Sequence, residues 1–189
     1  MDPFILDIPD VIVTPRLHLR APDPAFAEAL SEGIVESLER LRRWMPWAAD
    51  EPIALDTRRR FLRERYADFY LRRDLLLLMF RRNDGEFVGG TGLHRIDWSV
   101  PKFEIGYWIR TRDEGRGYVT EAVSAVSDFA FASLRAQRVE IRCDSRNERS
   151  AASPRRLGFE HEATLHNDRR DAQTGELRDT LIFSRVATP

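Results

Sequence analysis

Arg112-Asp113-Glu114-Gly115-Arg116-Gly117 stands directly before Tyr118-Val119-Thr120, where an apolar periodicity that predicts a long helix begins. The chemistry such a junction offers is anion binding. The first turn of a helix leaves backbone N–H groups unpaired and carries the positive end of the helix dipole, and phosphates settle there. Gly115 and Gly117 have no Cβ, so a large anion can approach the main chain. Arg112 and Arg116 add charge, and Thr120 adds a hydroxyl donor. Together these fit a diphosphate cradle. The two glycines taken alone fit a plain strand-to-helix turn as well. Two other phosphate loops are excluded. No Gly-Lys-Ser/Thr is present, which removes the nucleotide P-loop. The third glycine of G-x-G-x-x-G and an acidic residue spaced for a dinucleotide ribose are also missing.

Other side chains have plain readings beside any chemical one. Asn147 opens a short helix and serves as its N-cap. Ser150 lies in the first turn of that helix, where serine is common. Trp44 and Trp47 flank Pro46 and read as core packing. Glu104, on a strand, reads as a surface or salt-bridged carboxylate. His94 reads as a satisfied strand histidine. Cys143 ends a strand and reads as an inert thiol.

The elements that must position these residues follow from periodicity. Arg16–Ala21 alternates as a first strand. Ile34, Leu38, Leu41 and Met45 form one helical stripe that stops at Pro46. Ala54–Arg73 predicts a second helix capped by Asp56 or Thr57, with Leu62, Tyr66 and Phe69 on its inner side and its arginines in solvent. Leu75–Arg82 and Glu86–Ile96, joined by Asn83-Asp84-Gly85, predict a hairpin. Lys102–Arg110 is a further strand. The helix behind the glycines turns Ala122, Val126, Phe129 and Ala130 to one side. Then come a strand over Arg138–Asp144, a helix over Glu148–Gly158 and strands over Phe159–His166 and Leu177–Val186, the last two joined across Asp171–Leu177. The order is β-α-α-β-β-β-α-β-α-β-β, which predicts a mixed α/β fold, α+β in its segregation, on one central sheet.

The 189 residues carry 42% hydrophobic and 32% charged side chains and a net charge of −1. That is a globular balance, with no field to draw in nucleic acid or a membrane surface. No linker rich in Pro, Gly or Ser divides the chain, so residues 1–189 read as a single domain. One cysteine excludes an internal disulfide and a cysteine metal site, and a reducing cytoplasm is the expected home. The acidic start does not read as a signal peptide.

Six stretches, in order, resemble the GNAT superfamily of N-acyltransferases, and within it the Rim-type enzymes that acetylate N-termini of ribosomal proteins. They are "TPRLHLR" (Thr14–Arg20), "LRRWMPWA" (Leu41–Ala48), "EIGYWI" (Glu104–Ile109), "GRGYVTEAV" (Gly115–Val123), "NERSAASPRRLGF" (Asn147–Phe159) and "DTLIFSRV" (Asp179–Val186). The resemblance implies a mostly antiparallel sheet splayed into a V that holds acetyl-CoA, with no metal. It implies that the strand Tyr107, Trp108, Ile109 and Arg110 binds pantetheine through its main chain. The stretch Arg112, Glu114, Gly115, Arg116, Gly117, Tyr118, Val119 and Thr120 would bind the diphosphate. Asn147 would also contact pantetheine, while Arg155 and Arg156 are candidates for phosphate contacts or for solvent-facing charge. It makes Glu104 the base that deprotonates the amine, with Phe103 and Trp98 as apolar neighbours. Ser150 becomes the acid that protonates the CoA thiolate, and Trp44 and Trp47 shape the acceptor pocket. Asp113 and Glu114 would have to point away from the diphosphate. The implied acceptor is a primary amine, a protein N-terminus or a small molecule, and the implied assembly a homodimer. A non-catalytic acyl-CoA sensor would keep the loop without needing Glu104 or Ser150.

Overall fold

The computed structural model describes residues 3–171 and 174–187. Among the described residues eight strands form one sheet, in the order β1-β2-β3-β4-β5-β6-β8-β7. They are β1 (Val11–Val13), β2 (Leu17–Arg20), β3 (Leu75–Arg81), β4 (Phe87–Asp97), β5 (Lys102–Ile109), β6 (Arg138–Asp144), β7 (Glu160–Arg170) and β8 (Leu177–Val186). Five α-helices among the described residues flank it: α1 (Ala27–Glu36), α2 (Leu38–Trp44), α3 (Leu55–Tyr70), α4 (Tyr118–Ala132) and α5 (Glu148–Arg156). Every neighbouring pair is antiparallel except β5 with β6. The mixed, mostly antiparallel sheet is the one the sequence predicts.

The parallel pair is also the short one. It runs only from Lys102 opposite Arg138 to Glu104 opposite Glu140. β5 continues along β4 as far as Ile109 opposite Gly89, and β6 continues along β8 to Asp144 opposite Thr180. Beyond Glu104 the two strands therefore diverge and leave a V-shaped gap in the sheet.

Alternation along β5 sorts its side chains onto two faces. Phe103 and Ile105 join the core under α4, with Ala122, Val123 and Val126, and Tyr107 and Ile109 pack beside them. Trp108 packs on the other face against the core built from α1, α3, Leu78 and Phe80. Glu104 and Gly106 share that second face.

Four details differ from the sequence reading. β1 is a three-residue edge strand whose Val11 and Val13 are exposed, so it shows no buried alternation to detect. The first helix breaks at Ser37, whose buried hydroxyl accepts from the Thr111 N–H at 3.0 Å. α3 begins at Leu55 with no side-chain cap, so Asp56 and Thr57 lie inside it, and Tyr66 is exposed rather than packed. Among its arginines, Arg58 is buried and bonds both carboxylate oxygens of buried Glu51. β7 runs on to Arg170. The predicted connection over Asp171–Leu177 includes residues 172 and 173, which lie outside the described residues.

Candidate active site

The V opens onto a cleft of about 580 Å³ lined from four elements: α2, the end of β5, the loop into α4, and the start of α5. The loop makes the floor. Gly115 and Gly117 have φ of 74° and 79°, the left-handed region that side chains other than glycine disfavour. Gly117 is the N-cap of α4 and offers no side-chain cap, so the first N–H groups of the helix stay open. Gly115, Gly117, Tyr118, Val119 and Thr120 all line the cleft. Glu121 fixes the helix start from behind. It accepts from the Thr14 hydroxyl (2.6 Å), the Arg16 N–H (2.8 Å) and Arg16 Nε (2.5 Å). Burial alone would raise its pKa, but these donors hold it below the ordinary carboxylate value.

The tip of the V carries two hydroxyls. Asn147 caps α5 by accepting from the Ser150 N–H at 3.1 Å. Pro154 sits inside α5 and has no N–H to give the Ser150 carbonyl four residues back. That carbonyl accepts instead from the Tyr107 hydroxyl at 2.8 Å, and Ser150 Oγ donates to Tyr107 Oη at 3.2 Å. Burial pushes the Tyr107 pKa well up, so the phenol stays protonated. The sequence shows Tyr107 only as a main-chain contact. The readable signal for its hydroxyl was Pro154, which leaves one helical carbonyl without a donor.

The unpaired strand edge is the third component. The Arg110 N–H donates to the Val88 carbonyl at 2.7 Å. Antiparallel groups alternate, so the main-chain groups of Ile109 and Tyr107 turn the other way, into the gap.

Several expected residues stand elsewhere. The Arg110 side chain is buried on the opposite face, bonded to Glu36 and to the Phe87 carbonyl (2.9 Å), and its N–H is already taken. Arg112 is held by Glu86 (2.5 Å) and Glu36 (3.6 Å), and neither its side chain nor that of Arg116 lines the cleft. Asp113 points inward to Arg81 at 3.0 Å rather than outward. Glu114 faces the cleft, where Arg149 (2.5 Å) and Arg40 (3.1 Å) grip it. Arg156 lines the cleft, whereas Arg155 pairs with Glu148 at 2.8 Å. Arg40 and Arg149 are cleft cations that sequence reasoning missed. Both were visible only as charges on helices. Trp44 lines the cleft, while Trp47 is 44% exposed and packs at a tilt against Trp108 with centroids 6.0 Å apart.

Glu104 lies outside the cleft lining, on the face of Trp108. Its expected apolar neighbours are not its neighbours. Phe103 and Trp98 meet edge to face with centroids 5.2 Å apart, with Phe103 pointing into the α4 core. Glu104 instead has Arg95 Nε and Arg142 Nε at 3.5 Å each, and its Oε2 is buried with no hydrogen bond. Cys143 behaves as expected: burial pushes its thiol up to about 11.

A family model described as "Acetyltransferase (GNAT) domain" matches residues 16–160. The chain belongs to the GNAT acetyltransferase family. A relative from Bacillus subtilis (strain 168), named "Putative ribosomal N-acetyltransferase YdaF", is 36% identical over 151 residues, which is 78% of this chain and 79% of that one. The fold superposes on the CoA complex of RimL, a ribosomal L7/L12 α-N-protein acetyltransferase, with a TM-score of 0.85 at 21% identity, covering 93% of this chain and 97% of that one. It superposes equally on MccE, a microcin C7 self-immunity acetyltransferase in complex with acetyl-CoA and AMP, with a TM-score of 0.85 at 24% identity and coverage of 95% and 98%. As a GNAT protein it is an acyl-CoA-dependent N-acetyltransferase, and acetyl-CoA is its acetyl donor. Among the described residues no helix is long and apolar enough to cross a membrane.

The cleft fits that donor. The uncapped start of this GNAT α4 offers amides to a diphosphate. The free edge of β5 offers amides and carbonyls to a chain that itself carries amides. The two hydroxyls wait at the far end.

Proposed function

We propose that this GNAT enzyme acetylates the α-amine of a protein N-terminus by direct attack in a ternary complex, in the cytoplasm. One observation carries the reading. The unpaired edge at Tyr107 and Ile109 leads from the α4 amides to a pair of hydroxyls, so donor and proton source meet at one point. The relationship to a chain named for ribosomal N-acetylation supports the choice of acceptor.

Acetyl-CoA supplies an acyl carbon activated by a thiolate leaving group. The protein supplies the rest. The amides of Gly117 to Thr120 hold the diphosphate, with Arg149, Arg156 and Arg40 on the cleft walls. Tyr107 and Ile109 align pantetheine through their main chains, and Asn147 lies beside them. Ser150 gives the proton to the departing sulfur, next to a phenol that burial keeps protonated. Trp44, Trp47 and Trp108 wall the acceptor side. Glu104, the base that the family resemblance implies, and His94 both stand beside Gly106 on that side.

The test follows release of free CoA thiol with acetyl-CoA and a panel of peptides and small amines. Release that needs a free peptide N-terminus and stops when it is blocked supports the reading. Release with small amines only, or equal release with blocked peptides, overturns it.

A further inference from the structure

The α1–α3 face of the sheet is bare where β4 and β5 pair at the tip of the V. Gly92 lies opposite Gly106, and His94 lies opposite Glu104. The His94 ring rests on that glycine floor. A Cβ added at Gly92 would meet its Nε2 at 3.0 Å, and one added at Gly106 would meet its Cδ2 at 3.0 Å. Side chains at either position would displace the ring.

His94 Nδ1 lies 2.7 Å from Asp74 Oδ2, and the two side chains are 29% and 25% exposed, open enough for a substrate or one water to reach. In the neutral ring this bond puts the proton on Nδ1, since a carboxylate only accepts. The lone pair then sits on Nε2, which no described residue engages. The α4 face of the same strand is closed by the Tyr107 phenol and α5. Gly106 lies one residue before Tyr107 on β5, so an amine that crosses it from the α1–α3 face passes Nε2; His94 itself, like Glu104, stands beside the cleft rather than in its lining.

We infer that His94, oriented by Asp74, is the group that takes the proton from the attacking amine, directly or through one water. This rests on the acetyl-transfer reading. The amine nitrogen forms a bond to the acyl carbon, and the carbon–sulfur bond breaks. One N–H proton goes to His94 Nε2, and one proton goes from Ser150 to sulfur. His94 returns its proton to solvent, and the hydroxyl pair regains one from solvent. Glu104 is less suited, because its buried Oε2 is flanked by two guanidiniums. The charged groups around the ring are Asp74 from the turn before β3, Glu104 across the strand pair, and Arg95 and Arg142 beyond it. Glu104 and its arginines then serve to hold the tip of the V together.

The experiment compares His94→Ala, Asp74→Asn and Glu104→Gln with wild type, each checked for CoA binding by calorimetry. His94→Ala should lose ~100-fold in kcat/KM while CoA affinity holds, and imidazole added to the buffer should restore part of the rate. Asp74→Asn should lose about tenfold or more, and the loss in Glu104→Gln should be smaller than that in His94→Ala. Long-range proton–nitrogen NMR of the ligand-free protein at alkaline pH should show His94 as the Nδ1–H tautomer. An Nε2–H tautomer overturns the inference without any assay of turnover. So does the large loss falling on Glu104→Gln with His94→Ala near wild type. Should His94→Ala fail to bind CoA, Asp74→Asn decides, and unchanged turnover there overturns the inference. A wild-type protein that releases no thiol with any amine overturns the acetyl-transfer reading and this inference together.

Discussion

Glu114 occupies two of the cations that line the cleft beside the glycine loop. Its Oε2 lies 2.5 Å from Arg149 and 3.1 Å from Arg40, one on α5 and one on α2, so the carboxylate bridges the cleft. A diphosphate on the α4 amides has to displace this carboxylate or coexist with it. Two unit charges about 4 Å apart interact by ~1 kcal/mol in water and ~4 kcal/mol at an effective dielectric of about 20. The arginine side chains are 50% and 62% exposed, which puts the lower figure in force. Glu114→Gln removes the competing charge, so CoA should bind with a Kd about fivefold lower, the equivalent of ~1 kcal/mol. Calorimetry at two ionic strengths provides the assay. Screening shortens from about 10 Å at 0.1 M salt to about 3 Å at 1 M, so the gap between variant and wild type should shrink in high salt. Equal or weaker binding by Glu114→Gln would refute the reasoning, and would mean that the carboxylate aligns the two arginines for the phosphates instead of competing for them.

Two further outcomes concern buried groups. Arg58→Met strands the buried Glu51 carboxylate and should cost about 3–5 kcal/mol, a drop of roughly 6–20 °C in Tm for a chain of this size. Adding Glu51→Gln should recover most of it in the same melting experiment. The Cys143 thiol, raised from 9.0 to about 11 by burial, binds its proton more tightly folded than unfolded. Its contribution to stability is therefore complete below pH 9.0 and fades as the pH rises toward about 11. Urea midpoints at pH 8 and 10.5 should fall further apart in wild type than in Cys143→Ala, and equal differences would sink the assignment.

The glycine turn before α4 was legible because its demand is on the backbone, and glycine at positive φ is how a sequence writes that demand. The helix at its back was legible from its periodicity. The charges were not. Arg112 and Arg116 read as phosphate ligands from their place in the chain, yet Arg112 is taken by Glu86 and Glu36, which come from β-hairpin and helix segments far off in sequence. Arg58 read as one more solvated arginine, because its partner Glu51 lies in an irregular stretch with no pattern of its own. Glu104 was found, but its surroundings were not, since Arg95 and Arg142 reach it across two different strand pairs. Long-range ion pairing decides these positions, and no local periodicity encodes it.

The gap between β5 and β6 gives this sheet two extra edges in its middle. An unpaired strand edge is ordinarily an invitation to another polypeptide, and so an aggregation hazard. Here Tyr107 and Ser150 stand on one side of the gap and Trp44 and Met45 on the other, which leaves room for a thin, unbranched chain rather than a strand with side chains. In the binding mode proposed above, the donor would complete the sheet each time it binds. Between turnovers the amides of Tyr107 and Ile109 should exchange their hydrogens quickly, and the protein should be most prone to self-association when its donor is scarce.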